Sequence, residues 1–164
     1  MAATKTTQLL ATFWVGHAHL AIDAHHVQEV LVNQPMVRVP RTEPSVRGLI
    51  NLRGQVVTAI GLADRLGIHQ PADHNPPFCV VVRTDDGPVS LLVDSVGGVL
   101  NTEDLRCDPP PDTLDEAMQY LVTGVHQLQG DLLLVLDVAR ATEVRAGAST
   151  TSNDNQSRDN REEF

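Results

Sequence analysis

The chain has 164 residues, 41% of them apolar but only five aromatic (three Phe, one Trp, one Tyr), which fits one domain with a core of Val, Leu, Ile and Ala. A formal charge of −9 argues against non-specific nucleic-acid binding, which needs a cationic footprint. The charge is unevenly spread: residues 1–83 carry seven Lys/Arg against five Asp/Glu, and residues 84–145 carry three against twelve, a division that suits different partners on different faces.

In chain order, QLLATFWVG (8–16) and HLAI (19–22) predict two strands joined at Gly16-His17. Asp23 is placed to cap a short helix over AHHVQEV, where Ala24, Val27 and Val30 share a face. Residues 30–39 continue as a strand that Pro40 and Pro44 end. GLINLR and QVVTAI are two β-type runs about Gly54, and LADRLG is one helical turn closed by Gly67. HQPADHNPP (69–77) is a loop. FCVVVRT, the turn DDGP and VSLLVDSV form a hairpin. DPPPD (108–112) is irregular, and a last hairpin runs through YLVTGVHQL, Gln129-Gly130-Asp131 and LLLVLDV before Asp137 caps VARATEV. The predicted organisation is a flexible start (1–7), one domain over 8–145 and a polar, disordered tail (146–164). Many short strands and frequent turns indicate an all-β barrel or sandwich with accessory helices.

Catalytic signatures are missing. There is no G-x-x-x-x-G-K-[ST], no strand-linked G-x-G-x-x-G, no G-x-S-x-G and no C-x-x-C. His17, His19, His25 and His26 lie close in sequence, but zinc needs three or four ligands and no cysteine is near, so they are expected to be exposed turn histidines rather than a metal site. The carboxylates of 84–145 fall mostly in turns and form a solvated acidic surface, and Asp94, at the end of SLLVD, is placed to cap a Ser95–Val99 turn. An enzyme or metal protein built on these histidines and carboxylates is therefore disfavoured against a binding module, and no cofactor is implied. The N-terminus lacks a signal-peptide core, no run suits a membrane span, and Cys79 and Cys107 fit reduced thiols in a cytoplasmic protein.

The densest signal is SVRGLINLRGQVV (45–57), where Arg47-Gly48 and Arg53-Gly54 bracket a short apolar run. Extended to Val46–Ile68, and taken with AIDAHHVQEV, VSLLVDSVGGVL and YLVTGVHQLQGDLLLVLDV in the same order, this stretch resembles the CheW family of coupling proteins from bacterial chemosensory arrays. Thr58 and Gly61 depart from the family's usual proline and aspartate, and the His-Ala-His turn replaces acidic residues.

The resemblance implies an all-β fold of two intertwined, five-stranded β-barrels with short helices. It also implies a non-enzymatic adaptor, recruited to membrane-anchored receptors, that joins the cytoplasmic tip of a chemoreceptor to the regulatory domain of the histidine kinase CheA. Other CheW-like units in rings are further implied partners, and a pilus-motility or other non-flagellar pathway is an alternative output. Carried over by position, the receptor-binding residues are Val27, Glu29, Gly48, Asn51 and Arg53, with a partly buried Arg53 held by Glu29. Gly48 alternatively serves only as a positive-φ turn, and Arg47 belongs to a solvated turn. The kinase-binding edge is placed on the other barrel, at Phe78, Cys79, Val80 and Val81. The final NREEF is similar to a chemoreceptor pentapeptide that recruits a methyltransferase, but Arg161 stands where the aromatic anchor belongs.

Overall fold

The computed structural model of the protein describes residues 8–40 and 42–144. The expectations for 1–7, 146–164 and the terminal NREEF lie outside the described residues. Strands β1 (Leu9–Val15) and β2 (Ala18–Asp23) form the expected hairpin about Gly16-His17. The helix expected over 24–30 shrinks to one 3₁₀ turn, Ala24–His26, with the Asp23 carboxylate accepting from the His25 N–H at 2.9 Å. From Val27, half-buried and exposed positions alternate through β3 (Val27–Val32). Pairing with a distant strand prevails there over the helical spacing of Ala24, Val27 and Val30. Nor is 30–39 one strand. Proline at 35 cannot donate to a ladder, so β3 stops and β4 (Met36–Val37) is separate.

Strands β5 (Val46–Leu52) and β6 (Gln55–Gly61) make a hairpin about Arg53-Gly54, and α1 (Leu62–Leu66) ends at left-handed Gly67, φ 73°, as expected. The hairpin β7 (Phe78–Thr84) and β8 (Gly87–Val93) turns at Asp85-Asp86. Beyond Asp94 come β9 (Ser95–Asn101), β10 (Cys107–Asp108), α2 (Glu116–Leu121), β11 (Val122–Leu128), β12 (Asp131–Leu136) and α3 (Val138–Ala141). Helix α2 occupies residues that the sequence pattern had assigned to loop and strand, and Ser95–Asn101 is a strand rather than a capped turn.

Among the described residues the strands make two six-stranded sheets. The end sheet, ordered β10-β11-β12-β2-β1-β9, is built from both ends of the chain, and the middle sheet, β3-β7-β8-β6-β5-β4, is inserted between its halves. Each sheet has five longer strands plus one of two residues, β10 or β4, which accounts for the difference from the expected five. The largest core is shared: Phe13, Leu20 and Ile22 of the end sheet join Ile60, Val80, Val82, Leu91 and Val93 of the middle sheet. A second core fills the middle sheet's own interior with Ile50, Leu52, Val57, Ala59, Cys79, Val81 and Leu92. Strand β7 therefore buries both faces, each full Val or Leu burial contributing about 1.5–3 kcal/mol.

Asp94 clasps the two sheets where the chain passes from β8 to β9. Its carboxylate accepts from the Gly16 N–H in the end sheet, from Gln70 Nε2 at 2.7 Å and from His74 Nε2 at 2.6 Å, while its own N–H donates to the Trp14 carbonyl at 2.9 Å. Burial pulls the Asp94 carboxyl upward, but the bonds from Gly16, His74 and Gln70 outweigh it and hold the group below its ordinary range. The same bonds pin the 69–77 loop.

Candidate partner-binding surface

The β5–β6 turn places a cation under backbone constraint. Arg53 (φ 53°) and Gly54 (φ 85°) are both left-handed, as a two-residue hairpin of type I′ requires, and asparagine usually fills the first position. Arg53 is the one non-glycine with positive φ among the described residues, a conformation that costs roughly 1–2 kcal/mol. Two contacts hold it. Asn51 Oδ1 accepts from the Gly54 N–H at 2.8 Å, and the guanidinium donates in bidentate fashion to Glu29, Nη1 to Oε1 at 3.0 Å and Nη2 to Oε2 at 2.7 Å.

The expected pairing is present with its burial reversed. The Arg53 side chain is 73% exposed and that of Glu29 only 16%, so the carboxylate is the partly desolvated partner and the arginine is displayed. Two of the five guanidinium N–H groups are used on Glu29, leaving three for a partner. The pair also shows how the sheet bends. Strand β3 is separated from the β5–β6 hairpin by β7 and β8, so Glu29 meets Arg53 only because the middle sheet curls until they touch, with Leu31 packed on the same inner core.

The other expected residues divide by role. Val27 is half-buried against the shared core. Gly48 has the expected positive φ, 157°, but within β5 rather than in a turn, and a Cβ there would sit 2.5 Å from the Val37 carbonyl oxygen and 2.6 Å from Met36 Cγ. Its missing side chain lets β4 cross closely. Arg47 is likewise not in a solvated turn, since its Nε donates to Asp64 Oδ2 at 2.7 Å from within β5. A Cβ at Gly61 would lie 2.5 Å from that carboxylate oxygen and 2.8 Å from Arg47 Nε, so the glycine that departs from the family pattern makes room for this pair.

The Phe78–Val81 edge is corrected outright. Strand β7 belongs to the same sheet as Glu29 and Arg53, is flanked by β3 and β8, and buries Cys79, Val80 and Val81 completely, with Phe78 half-buried. These side chains support the fold and offer no kinase-facing surface. The exposed large apolar side chains of the middle sheet are instead Val30, Val32, Val37 and Val56. Val56 pairs with Asn51, beside the Arg53 turn, and is exposed while the next residue, Val57, is buried.

The histidines are not all exposed. His19 stacks on Trp14 with ring centroids 4.2 Å apart and its Nδ1 meets Asp131 Oδ2 at 2.7 Å. Among the described residues no cluster of three or more His, Cys, Asp or Glu is placed to hold a metal ion, and no helix is long and apolar enough to cross a membrane.

Two interlocked β-sheets carrying a displayed, carboxylate-anchored arginine define a β-rich protein-interaction module. Residues 10–145 match the CheW-like domain, and the chain belongs to that family. It is similar to the chemotaxis protein CheW of Thermotoga maritima, 29% identical over 141 residues covering 86% of this chain and 91% of the relative. It is also similar to the chemotaxis protein CheW of Bacillus subtilis, 25% identical over 136 residues, 83% and 87% of the two chains. In fold it matches the scaffolding protein TtCheW from Thermoanaerobacter tengcongensis, with a TM-score of 0.73, 22% identity, and 85% and 95% coverage. The protein is a chemotaxis coupling adaptor.

Proposed function

We propose that the protein bridges the cytoplasmic tip of a chemoreceptor to the regulatory domain of the kinase CheA, catalysing nothing itself, and that it works in the cytoplasm beneath receptor arrays, alternating in rings with related units. The observation that supports a receptor contact here is the Glu29–Arg53 pair: a guanidinium held bidentate on a strained turn, with three donors left over. Val56 adds apolar surface beside it, and a receptor's helical hairpin offers the alternating apolar and polar positions that such a surface recognises. Asn51 and Gly48 act through the chain rather than by contact, one fixing the turn and the other admitting β4.

The test is co-sedimentation of the purified chain with a receptor-tip fragment and the kinase regulatory domain. Arg53→Ala should stay folded by circular dichroism and lose receptor binding about 10- to 100-fold, as expected for an arginine anchor. Undiminished ternary assembly by Arg53→Ala removes the proposal.

A further inference from the structure

A cleft of about 750 Å³, within the range that holds small ligands, is lined by neither Glu29 nor Arg53. It is lined by Met36, Val46 and Leu92, by Pro76 from the 69–77 loop, and by the two arginines Arg38 and Arg47. Its sides are tied together beforehand. Asn33 Nδ2 donates to Asn75 Oδ1 and to the Pro76 carbonyl, both at 2.9 Å, the Asn33 N–H donates to Pro77 O at 2.8 Å, and His74 is held on Asp94. Little conformational freedom remains to be lost on binding.

Charge and edge geometry indicate what the cleft takes. Arg47, Arg53, Arg65 and Arg106 each pair with a carboxylate, and Arg83 and Arg140 each donate to a backbone carbonyl. Arg38 alone among the described arginines has no partner, in a chain of net charge −9. Arg47 uses only Nε on Asp64, so its terminal nitrogens are open. Strand β4, just before Arg38, is the outermost strand of the middle sheet, and Val37 on it is 70% exposed. An open edge beside a cation suits a strand that adds backbone hydrogen bonds and a carboxylate at once. Asp73 also lines the cleft and repels a second negative charge, so one carboxylate flanked by apolar residues fits better than an acidic run.

We propose that this cleft is a second docking site, distinct from the Arg53 surface, for an extended segment of a partner protein that lays its backbone along β4, its carboxylate on Arg38 and its apolar side chains against Met36 and Val46.

Methionine-methyl NMR of the full chain tests this, because Met36 lines the cleft while Met118 packs on the shared core and serves as the internal control. The probes are two blocked pentapeptides, threonine-leucine-glutamate-leucine-threonine and the same sequence with lysine in the centre. The glutamate peptide should shift Met36 saturably and leave Met118 still, the lysine peptide should bind at least tenfold more weakly, and Arg38→Glu should invert that preference. Arg53→Ala should change none of this, which separates the cleft from the receptor surface. Equal responses to both peptides, no saturable shift, or an unchanged preference in Arg38→Glu overturns the proposal. So does movement of Met36 without peptide when Glu162 and Glu163 are both replaced by Gln, because the occupant would then be the chain's own tail.

Discussion

The two Arg-Gly pairs of β5 share a dipeptide and almost nothing else. At Arg47-Gly48 the glycine is the crowded partner, with β4 backbone where a side chain would be, and the arginine is a half-buried brace on Asp64. At Arg53-Gly54 the crowding is reversed: nothing lies within 4 Å of a Cβ at Gly54, and the arginine is the residue under constraint. Identical local chemistry thus becomes scaffold in one place and display in the other, according to whether a distant strand lies across it.

The sharpest way to break this contrast is at the glycines. Gly48→Val should cost about 2–4 kcal/mol, since backbone has to move, whereas Gly54→Ala should cost only about 1 kcal/mol from its positive φ. Equal losses in chemical denaturation would mean that β4 does not cross Gly48 closely. At the arginines the readout changes from stability to affinity. Arg53→Ala should weaken receptor binding 10- to 100-fold, while Arg47→Ala should leave binding intact and cost roughly 0.5–1 kcal/mol of stability, the range of a part-exposed ion pair.

Asp94, which clasps the two sheets away from either pair, gives a third measurement. Its folded-state carboxyl lies below the ordinary value, so its stabilisation is complete above about pH 4 and is lost as pH falls through the depressed folded value. Asp94→Asn should therefore lose about 1–2 kcal/mol at pH 7 and converge with the parent chain in strong acid, as urea melts at several pH values would show. The smallest effect is a gain. Glu29→Gln combined with Arg53→Asn places Asn-Gly in a turn that prefers it and leaves no unpaired carboxylate, so stability should rise by about 0.5–1 kcal/mol while receptor binding disappears.

The hairpins were legible because their turn residues and alternation are local. Asp23, Gly67 and Asp137 serve as the caps that the pattern anticipates. Errors arose where a distant strand decided the outcome. Val27–Val32 is a strand because β7 pairs with it, and Gly48 is needed because β4 crosses it, neither of which spacing reveals. For Phe78–Val81 a signal was present: an unbroken apolar run, CVVV, marks a strand buried on both faces and argues against a docking edge. The Glu29–Arg53 pair was visible only through the family resemblance, since 24 residues separate its partners, and the exposure that makes Arg53 the displayed member is a property of the curled sheet.

The insertion of the middle sheet has a consequence for synthesis on the ribosome. Strands β3 to β8 are contiguous and can pair as soon as residue 93 is free, but β2 waits for β12, its parallel neighbour, roughly a hundred residues later. At ~5–20 residues per second the β1–β2 hairpin spends on the order of 5–20 s without that edge partner. Once β7 and β8 have emerged, Val80, Val82 and Leu91 face an unfinished core until β12 follows. The nascent chain is therefore most exposed to aggregation and to chaperones late in translation, and the last strand to emerge is the one that seals it.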